Sequence, residues 1–469
     1  LNSNNKFNLF TKKTLERHIF YTLINKPYTC IVKKGGCKMK KGLFLIQILA
    51  TAISLYAVDI QTYGEINIGI WLEQRERWYD DTIGVDTMGD TTIEMGKDSL
   101  PIFFNSWIPS GKLGFKIKGD KWSGCMEFGI SSNIYDANLS GITGLRLLRR
   151  ENESLYMRKW YTEWYFNDFF SILIGQDNLP LNFVSQCNQA YYDWNSLCNL
   201  GCTYTGRRPM LQATIGGEIA PSFNLKGKIA FIRTDTTVIA FRGNLQEAEV
   251  ETRFPKMEGS VEVNLEKDIF GITAKVAGGF QQQYSLLRND PTLLVEDFRA
   301  PVPCFGVGGE LGAKIGPVHI GGTFLTSQNP AVYGIAAGNR WEWASGNPTD
   351  PRTVNVFYPY FERVTDSITN EDTYKRRDSK MTQFAAILGL KPIEALGFEG
   401  GFAFQTVDHD FKDFIAMWDD RMAWYFQIDI RVFGNQLRLI PEVGQFLWGD
   451  EYMKGGRHTY GGVMTSVQF

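Results

Sequence analysis

Apolar and polar residues take turns along most of the chain. Ile66, Ile68, Ile70 and Leu72 alternate with Glu65, Asn67, Gly69, Trp71 and Glu73, and Arg75 and Arg77 continue the polar series. Met422, Trp424, Phe426, Ile428, Ile430 and Val432 alternate in the same way with Arg421, Ala423, Tyr425, Gln427, Asp429 and Arg431. Successive side chains of a strand point to opposite faces, so a period of two predicts strands with one apolar face and one charged face. Sixteen strands are predicted, over 61–78, 110–119, 122–133, 153–166, 169–176, 208–218, 223–233, 254–266, 269–284, 302–315, 317–327, 378–391, 396–409, 420–433, 435–448 and 457–469.

Their connections fall into two kinds. Short turns are expected at Gly119-Asp120-Lys121, Asn167-Asp168, Ala220-Pro221, between Glu266 and Asp268, at Gly316-Pro317, between Pro392 and Ala395, and at Gly434-Asn435. Long connections are expected over 79–109, 134–152, 177–207, 234–253, 285–301 and 328–377, with shorter ones at 410–419 and 449–456. In a soluble sandwich the apolar faces would meet a second sheet. Tight turns at one rim and long loops at the other instead predict an all-β, antiparallel transmembrane β-barrel, apolar towards lipid and charged towards a water-filled lumen. After Ala57 no apolar run approaches the roughly 20 residues of a spanning helix. The 47 glycines and 14% aromatic content suit twisted strands and interfacial girdles. No repeat of 20–50 residues points to a solenoid or propeller.

The N-terminal stretch reads differently. Met39-Lys40-Lys41 followed by the apolar Gly42–Ala57 has the charged start and short greasy run of a secretory signal, cleaved after Ala57. Residues 1–38 are expected to be an upstream untranslated stretch read as protein, or a disordered basic extension. Lys33-Lys34-Gly35-Gly36 is compatible with a purine-rich ribosome-binding sequence ahead of Met39. The barrel is then 58–469. Residues 1–57 hold ten Lys/Arg and one acid, which leaves 39 basic and 50 acidic residues, a net charge near −11. Such a chain is a poor nucleic-acid binder.

Export permits disulfides. Of the five cysteines after residue 57, Cys187, Cys198 and Cys202 are close in sequence, and a bond from Cys187 to Cys198 or Cys202 is expected. With His319, His409 and His458 the sole histidines of 58–469, no zinc shell and no other metal or cofactor site is expected. Nor is an enzyme expected, since nucleophilic hydrolysis needs a nucleophile beside a base and no Ser motif accompanies these histidines.

The chain ends Gly461-Gly462-Val463-Met464-Thr465-Ser466-Val467-Gln468-Phe469, with Val463, Val467 and Phe469 on one face. A last strand must pair with the first to remove both edges. This ending resembles the closing strand of outer-membrane barrels, where a terminal Phe is read by the barrel-assembly machinery. With sixteen strands and an export signal, the chain over about 58–469 resembles the general porins of Gram-negative outer membranes. That resemblance implies a homotrimer embedded in outer-membrane lipid and lipopolysaccharide, passive passage of small polar solutes and ions, and a third long loop folded into the lumen. Here that loop is Asp177–Arg207, following Ser171-Ile172-Leu173-Ile174-Gly175-Gln176.

Leu179, Pro180, Leu181, Phe183, Val184, Tyr191, Tyr192, Trp194 and Leu197 are too apolar for a solvated loop and are expected to pack on the inner wall. Asp177, Gln186, Asn188, Gln189, Asp193 and Asn195 are then expected to face the channel. Inward bases, namely Arg75, Arg77, Lys116, Lys118, Lys159, Arg421, Arg431 and Arg438, form an arc on the wall. Acids on the loop against bases on the wall would set a transverse field across a constriction. Trp78, Trp160, Trp164, Trp424, Trp448 and Tyr460 are expected in interfacial belts. Aromatics on the lumen side would instead suggest a sugar track. Other readings are a surface barrel without a pore, using the 328–377 loop with its Trp341-Glu342-Trp343, and a barrel-embedded hydrolase.

Overall fold

The computed structural model describes residues 59–85, 91–99, 103–137, 148–184, 186–191, 200–203, 206–234, 249–287, 298–335, 360–365, 372–409, 420–434, 436–449 and 457–469. The export-signal segment 39–57 and residues 1–38 lie outside them. Twenty strands occur among the described residues, and sixteen of them form one closed antiparallel ring. β1 (Asp59–Val85) folds back on itself at its outer end as a hairpin with β2 (Thr91–Ser99). Lower down, β1 pairs with β3 (Phe103–Lys118) on one side.

The ring continues through β4 (Trp122–Ala137), β5 (Leu148–Asn167), β6 (Phe170–Asn178), β7 (Arg207–Ala220) and β8 (Phe223–Ile232). After the short β9 (Glu249–Thr252), which pairs with β11, it runs through β10 (Lys256–Lys267), β11 (Phe270–Leu287), β12 (Phe298–Ile315) and β13 (Val318–Gln328). A separate hairpin, β14 (Tyr360–Thr365) with β15 (Asp372–Arg377), precedes β16 (Ser379–Ile393), β17 (Leu396–His409), β18 (Asp420–Val432) and β19 (Leu437–Gly449). β20 (Arg457–Gln468) pairs with β19 and with β1, so the ring has no edge. The seam is finished by Phe469, which exchanges backbone hydrogen bonds with Gly64 at 2.8 and 3.1 Å.

Alternation decides which way each strand faces. Ile229, Phe231, Val261, Val276, Leu311, Ile320, Leu388 and Phe426 point outwards and are exposed. Their neighbours Ala230, Ser260, Ala277, Glu310, Ile387 and Gln427 point inwards and are buried. An apolar exterior around a polar interior suits hydrocarbon outside and water inside, the arrangement of a barrel in the bacterial outer membrane. The expected short turns are all present. Several use left-handed residues, as tight hairpins require: Ser222, Asp268, Gly316, and Phe433 with Gly434.

The strands outrun the sequence expectation on the long-loop side. β1 reaches Val85 rather than 78, and β4 reaches Ala137 rather than 133. The apolar pattern stops where lipid stops, but a hydrogen-bonded ladder needs no apolar side chains and continues into water.

Candidate functional site

The chain leaves β6 at Asn178 and turns into the barrel. Leu179 closes a small core with Leu173, Met210, Ala230 and Ile232 on the inner wall of β6 to β8. From there the segment follows the inner wall, and wall carboxylates hold its amides. Leu181 N donates to Glu258 at 2.8 Å. Lys275 Nζ donates to the Asn182 carbonyl at 2.8 Å and stands 5.6 Å from the Phe183 ring. The Gln186 amide nitrogen donates to Thr273 and Glu310, while its oxygen lies 2.8 Å from His319 Nε2. Asn188 Nδ2 donates to Glu399 at 2.8 Å. Ala190 N and Tyr191 N both donate to Glu442, at 2.6 and 3.1 Å.

The far end of the segment is aromatic. Tyr191 stacks on Tyr460 with ring centroids 3.9 Å apart and meets Trp71 edge-on at 5.0 Å. Phe446 and His458 complete the cluster, and His458 Nε2 lies 3.3 Å from Glu73. The returning piece, 200–203, is held by Thr323, which donates to the Gly201 carbonyl at 2.7 Å, and by Gln383, which donates to the Thr203 hydroxyl. Phe183 N donates back to the Thr203 carbonyl at 2.7 Å, tying the two pieces together.

So close an approach needs a wall without side chains. β12 supplies one through inward glycines in Gly306-Val307-Gly308-Gly309-Glu310-Leu311-Gly312. A Cβ at Gly306 would meet the Leu181 and Ile335 side chains at 3.1 and 3.2 Å, and one at Gly312 would meet the Gln186 side-chain oxygen Oε1 at 2.5 Å. Glycine inside a strand leaves room for such an approach, here by the side chains of Leu181, Phe183, Gln186 and Ile335.

A second insert stands beside the first. After β13 the chain forms a short helical turn, α1 (Pro330–Tyr333), rather than rising directly into the 328–377 connection. Val332, Tyr333 and Ile335 are buried. Tyr333 donates its hydroxyl to Glu258 at 3.1 Å, and Lys256 Nζ lies 3.8 Å from the Tyr333 ring centroid. Burial, aided by the Glu258 charge, pushes the Tyr333 phenol well above its ordinary range, which keeps it a donor. Glu258 therefore holds both inserts.

The charge arrangement reverses the sequence expectation. Gln186 and Gln189 turn to the wall rather than the channel, Gln189 donating to the Tyr460 hydroxyl at 2.7 Å, while Asn188 stays exposed beside Glu399. The carboxylates nearest the described part of the loop belong to the wall. A docked loop has orphan amide N–H groups, and these need acceptors once water is gone. Asp177 and Lys159, expected across the lumen from each other, form an ion pair at 2.8 Å because β5 and β6 are adjacent. Arg431 and Arg438 both engage Asp429, at 2.7 and 3.0 Å, so they are neutralised in part. Arg421 is 3% exposed and does not line water. Lys116 keeps its solvent exposure, with Nζ 5.2 Å from the Tyr63 ring centroid. Asp193, Tyr192, Trp194, Asn195, Leu197 and Cys198 lie outside the described residues, as do the side chains of Arg75, Arg77, Trp78 and Trp448.

Two further expectations change. Neither Cys187 nor Cys202 is in a disulfide, so the expected bond from Cys187 to Cys198 or Cys202 is not formed, and the Cys202 thiol is buried. Its side chain belongs to the core under the loop, where a docked apolar segment needs no covalent tie. Tyr460 sits in the lumen and not in an interfacial belt, and at 1% exposure it supports the loop rather than offering a face to a sugar. Trp160, Trp164 and Trp424 are exposed on the outer face as expected. The wall anchors Glu258, Glu310, Glu399 and Glu442 were readable from sequence as inward acids, but not as anchors. The one hint of a docked insert was the run of alternate glycines in β12.

No protein-family profile matches the chain, and no curated protein matches it in sequence. Solved structures do match in shape. The outer-membrane channel DcaP of Acinetobacter baumannii superposes with a TM-score of 0.52 at 11% identity, over 88% of this chain and 97% of that one. Salmonella typhi OmpF gives 0.45 at 12% identity, over 87% and 97%, and Pseudomonas putida OprB gives 0.45 at 10% identity, over 92% and 97%. The last two are too loose to argue from, and the first speaks for the fold alone. Together with the closed ring of sixteen strands, the apolar exterior and the segment folded inside, it shows that this chain has the barrel fold of the outer-membrane porins.

Proposed function

We propose that the protein is a passive diffusion channel for small hydrophilic solutes and ions, working as a homotrimer in the lipid and lipopolysaccharide of the outer membrane. One observation carries this reading. The inward segment follows the wall from β8 round to β20 and β1, while inward side chains of β3 to β8, such as Lys116, Lys118 and Lys228, keep access to water. An insert that narrows a lumen while leaving a wetted polar wall is what size-limited diffusion requires. Within this reading the segment is the constriction. Arg75, Arg77, Lys116, Lys159, Asp177, Asp193, Arg431 and Arg438 line or flank it, and Arg421 supports it from behind. Phe469 addresses the chain to the barrel-assembly machinery, and 39–57 directs export.

The test is single-channel recording of the refolded barrel in a planar bilayer, with liposome swelling by neutral sugars of increasing size. Discrete conductance steps and a sharp size limit are expected. Silence in both assays would return the chain to the pore-less surface barrel.

A further inference from the structure

The chain after residue 57 carries a net charge near −11, which by itself favours cations in any water it encloses. Its inward charges are not distributed that way. Glu258, Glu310 and Glu442 are buried beneath the inserts at 2, 8 and 4% exposure, holding Leu181, Gln186, Ala190 and Tyr191. Glu399 is bound to Asn188 and to the Tyr425 hydroxyl at 2.6 Å. Glu73 is buried against His458. Glu73, Glu258, Glu310 and Glu442 have protein, not water, in front of them, while Glu399 is half-buried.

On the wall that the described part of the insert leaves uncovered, acids are matched by cations. Lys112 takes Glu65, Arg158 takes Glu127 at 2.7 Å, Lys159 takes Asp177, and Glu262 takes Lys228 at 2.9 Å and Lys275 at 3.7 Å. Glu163 has no cation among the described residues and accepts hydroxyls from Tyr165 and Ser171 instead. What remains towards water is mainly positive. Lys116 and Lys118 on β3, Lys226 on β8 and Lys314 on β12 point inwards, between outward Phe115, Ile229 and Leu311, and have no carboxylate in ion-pair range among the described residues. Three inward acids, Asp59 opposite Lys118, Glu218 and Glu266, stay exposed beside the short turns, where Lys118, Lys226 and Lys314 match them in number, and Arg431 and Arg438 share the single Asp429.

We propose that the lumen prefers small anions, with Lys116 and Lys118 as the determinants, because the inserts cover the acids of one wall while lysines face the water on the other. This rests on the channel reading and adds its sign. An ion in the water column can come within contact distance of Lys116 but not of Glu442. At physiological salt a charge is screened over about 8 Å, so contact range governs selectivity.

The measurement is the reversal potential of the full barrel in a neutral phosphatidylcholine bilayer under a tenfold KCl gradient. Chloride is expected to be more permeant than potassium by at least about twofold, rising as ionic strength falls. Lys116→Glu with Lys118→Glu should bring the ratio to about one or below, while Lys116→Arg with Lys118→Arg should keep it. Conductance with a potassium-sided potential in the unaltered protein overturns the anion preference and leaves the channel reading standing. A chloride preference unmoved by the double glutamate variant overturns the assignment to Lys116 and Lys118. Absence of conductance defeats the channel reading and this inference with it.

Discussion

The carboxylate of Glu442 accepts the backbone N–H of Ala190 at 2.6 Å, across 252 residues of sequence. It takes the next amide, that of Tyr191, with its other oxygen, and the Tyr460 hydroxyl at 2.7 Å. Three donors on one buried carboxylate fix Ala190 and Tyr191 of the inward segment. Glu442→Ala leaves two buried amides without an acceptor, a loss of about 2 kcal/mol of docking energy, or roughly a 30-fold rise in the undocked population. Larger and noisier single-channel currents are expected, with an unchanged circular dichroism spectrum. Quiet currents of unaltered size would show that Glu442 does not hold the segment.

Gly312 tests the same docking from the wall. Gly312→Leu places a side chain where the Gln186 amide now lies. Overpacking of this kind costs about 1–3 kcal/mol. Because the barrel strands can keep their register, the strain falls on the insert. Conductance should change while the temperature at which the barrel unfolds in detergent moves little. A large fall in that temperature with normal conductance would place the strain in the wall instead.

The outer face makes a separate prediction. Val276 is 63% exposed in the middle of β11, beside inward, buried Ala277. Val276→Arg puts a charge into hydrocarbon at a cost of about 2–4 kcal/mol near the bilayer midplane. The urea midpoint of folding into lipid vesicles should fall accordingly. A soluble sandwich would tolerate the change, so an unshifted midpoint contradicts the membrane orientation of this face.

Tyr333 and Glu258 join the second insert to the first. Tyr333→Phe removes a single hydrogen bond and should weaken docking by about 1 kcal/mol, whereas Tyr333→Ala also empties a buried site and should cost about 3–5 kcal/mol. The difference is readable as graded current noise, small in the first variant and large in the second. Equal noise in both would assign the anchor to the hydroxyl alone.

Phe469 is paired through its backbone with Gly64 while its ring is 65% exposed. The side chain therefore adds little to the folded state, and Phe469→Ala should change stability in detergent by no more than about 0.5 kcal/mol. In cells the assembled barrel should fall several-fold if the ring is the address read during assembly. Normal assembly would remove that role.

The strands, their number and the outward residues were legible because they rest on a local rule. Ile66 to Leu72 and Met422 to Val432 each show their lipid face within one strand, and short turns follow from a few residues such as Gly316-Pro317. The inward segment was legible too, since Leu179, Leu181, Phe183 and Tyr191 are too apolar for water. Tyr460 was misplaced because Gly461 and Gly462 interrupt the alternation there and leave the inner face unmarked.

By itself, then, the amino-acid order determined a closed ring of alternating strands and the piece of chain that enters it. The tertiary structure alone decided what each inward group touches: Ala190 with Glu442, Gln189 with Tyr460, Tyr333 with Glu258, Lys159 with Asp177. A period of two tells a side chain which face it is on. It says nothing of which group, up to 271 positions away, the curvature of the barrel brings opposite, and that choice settles which charges meet water.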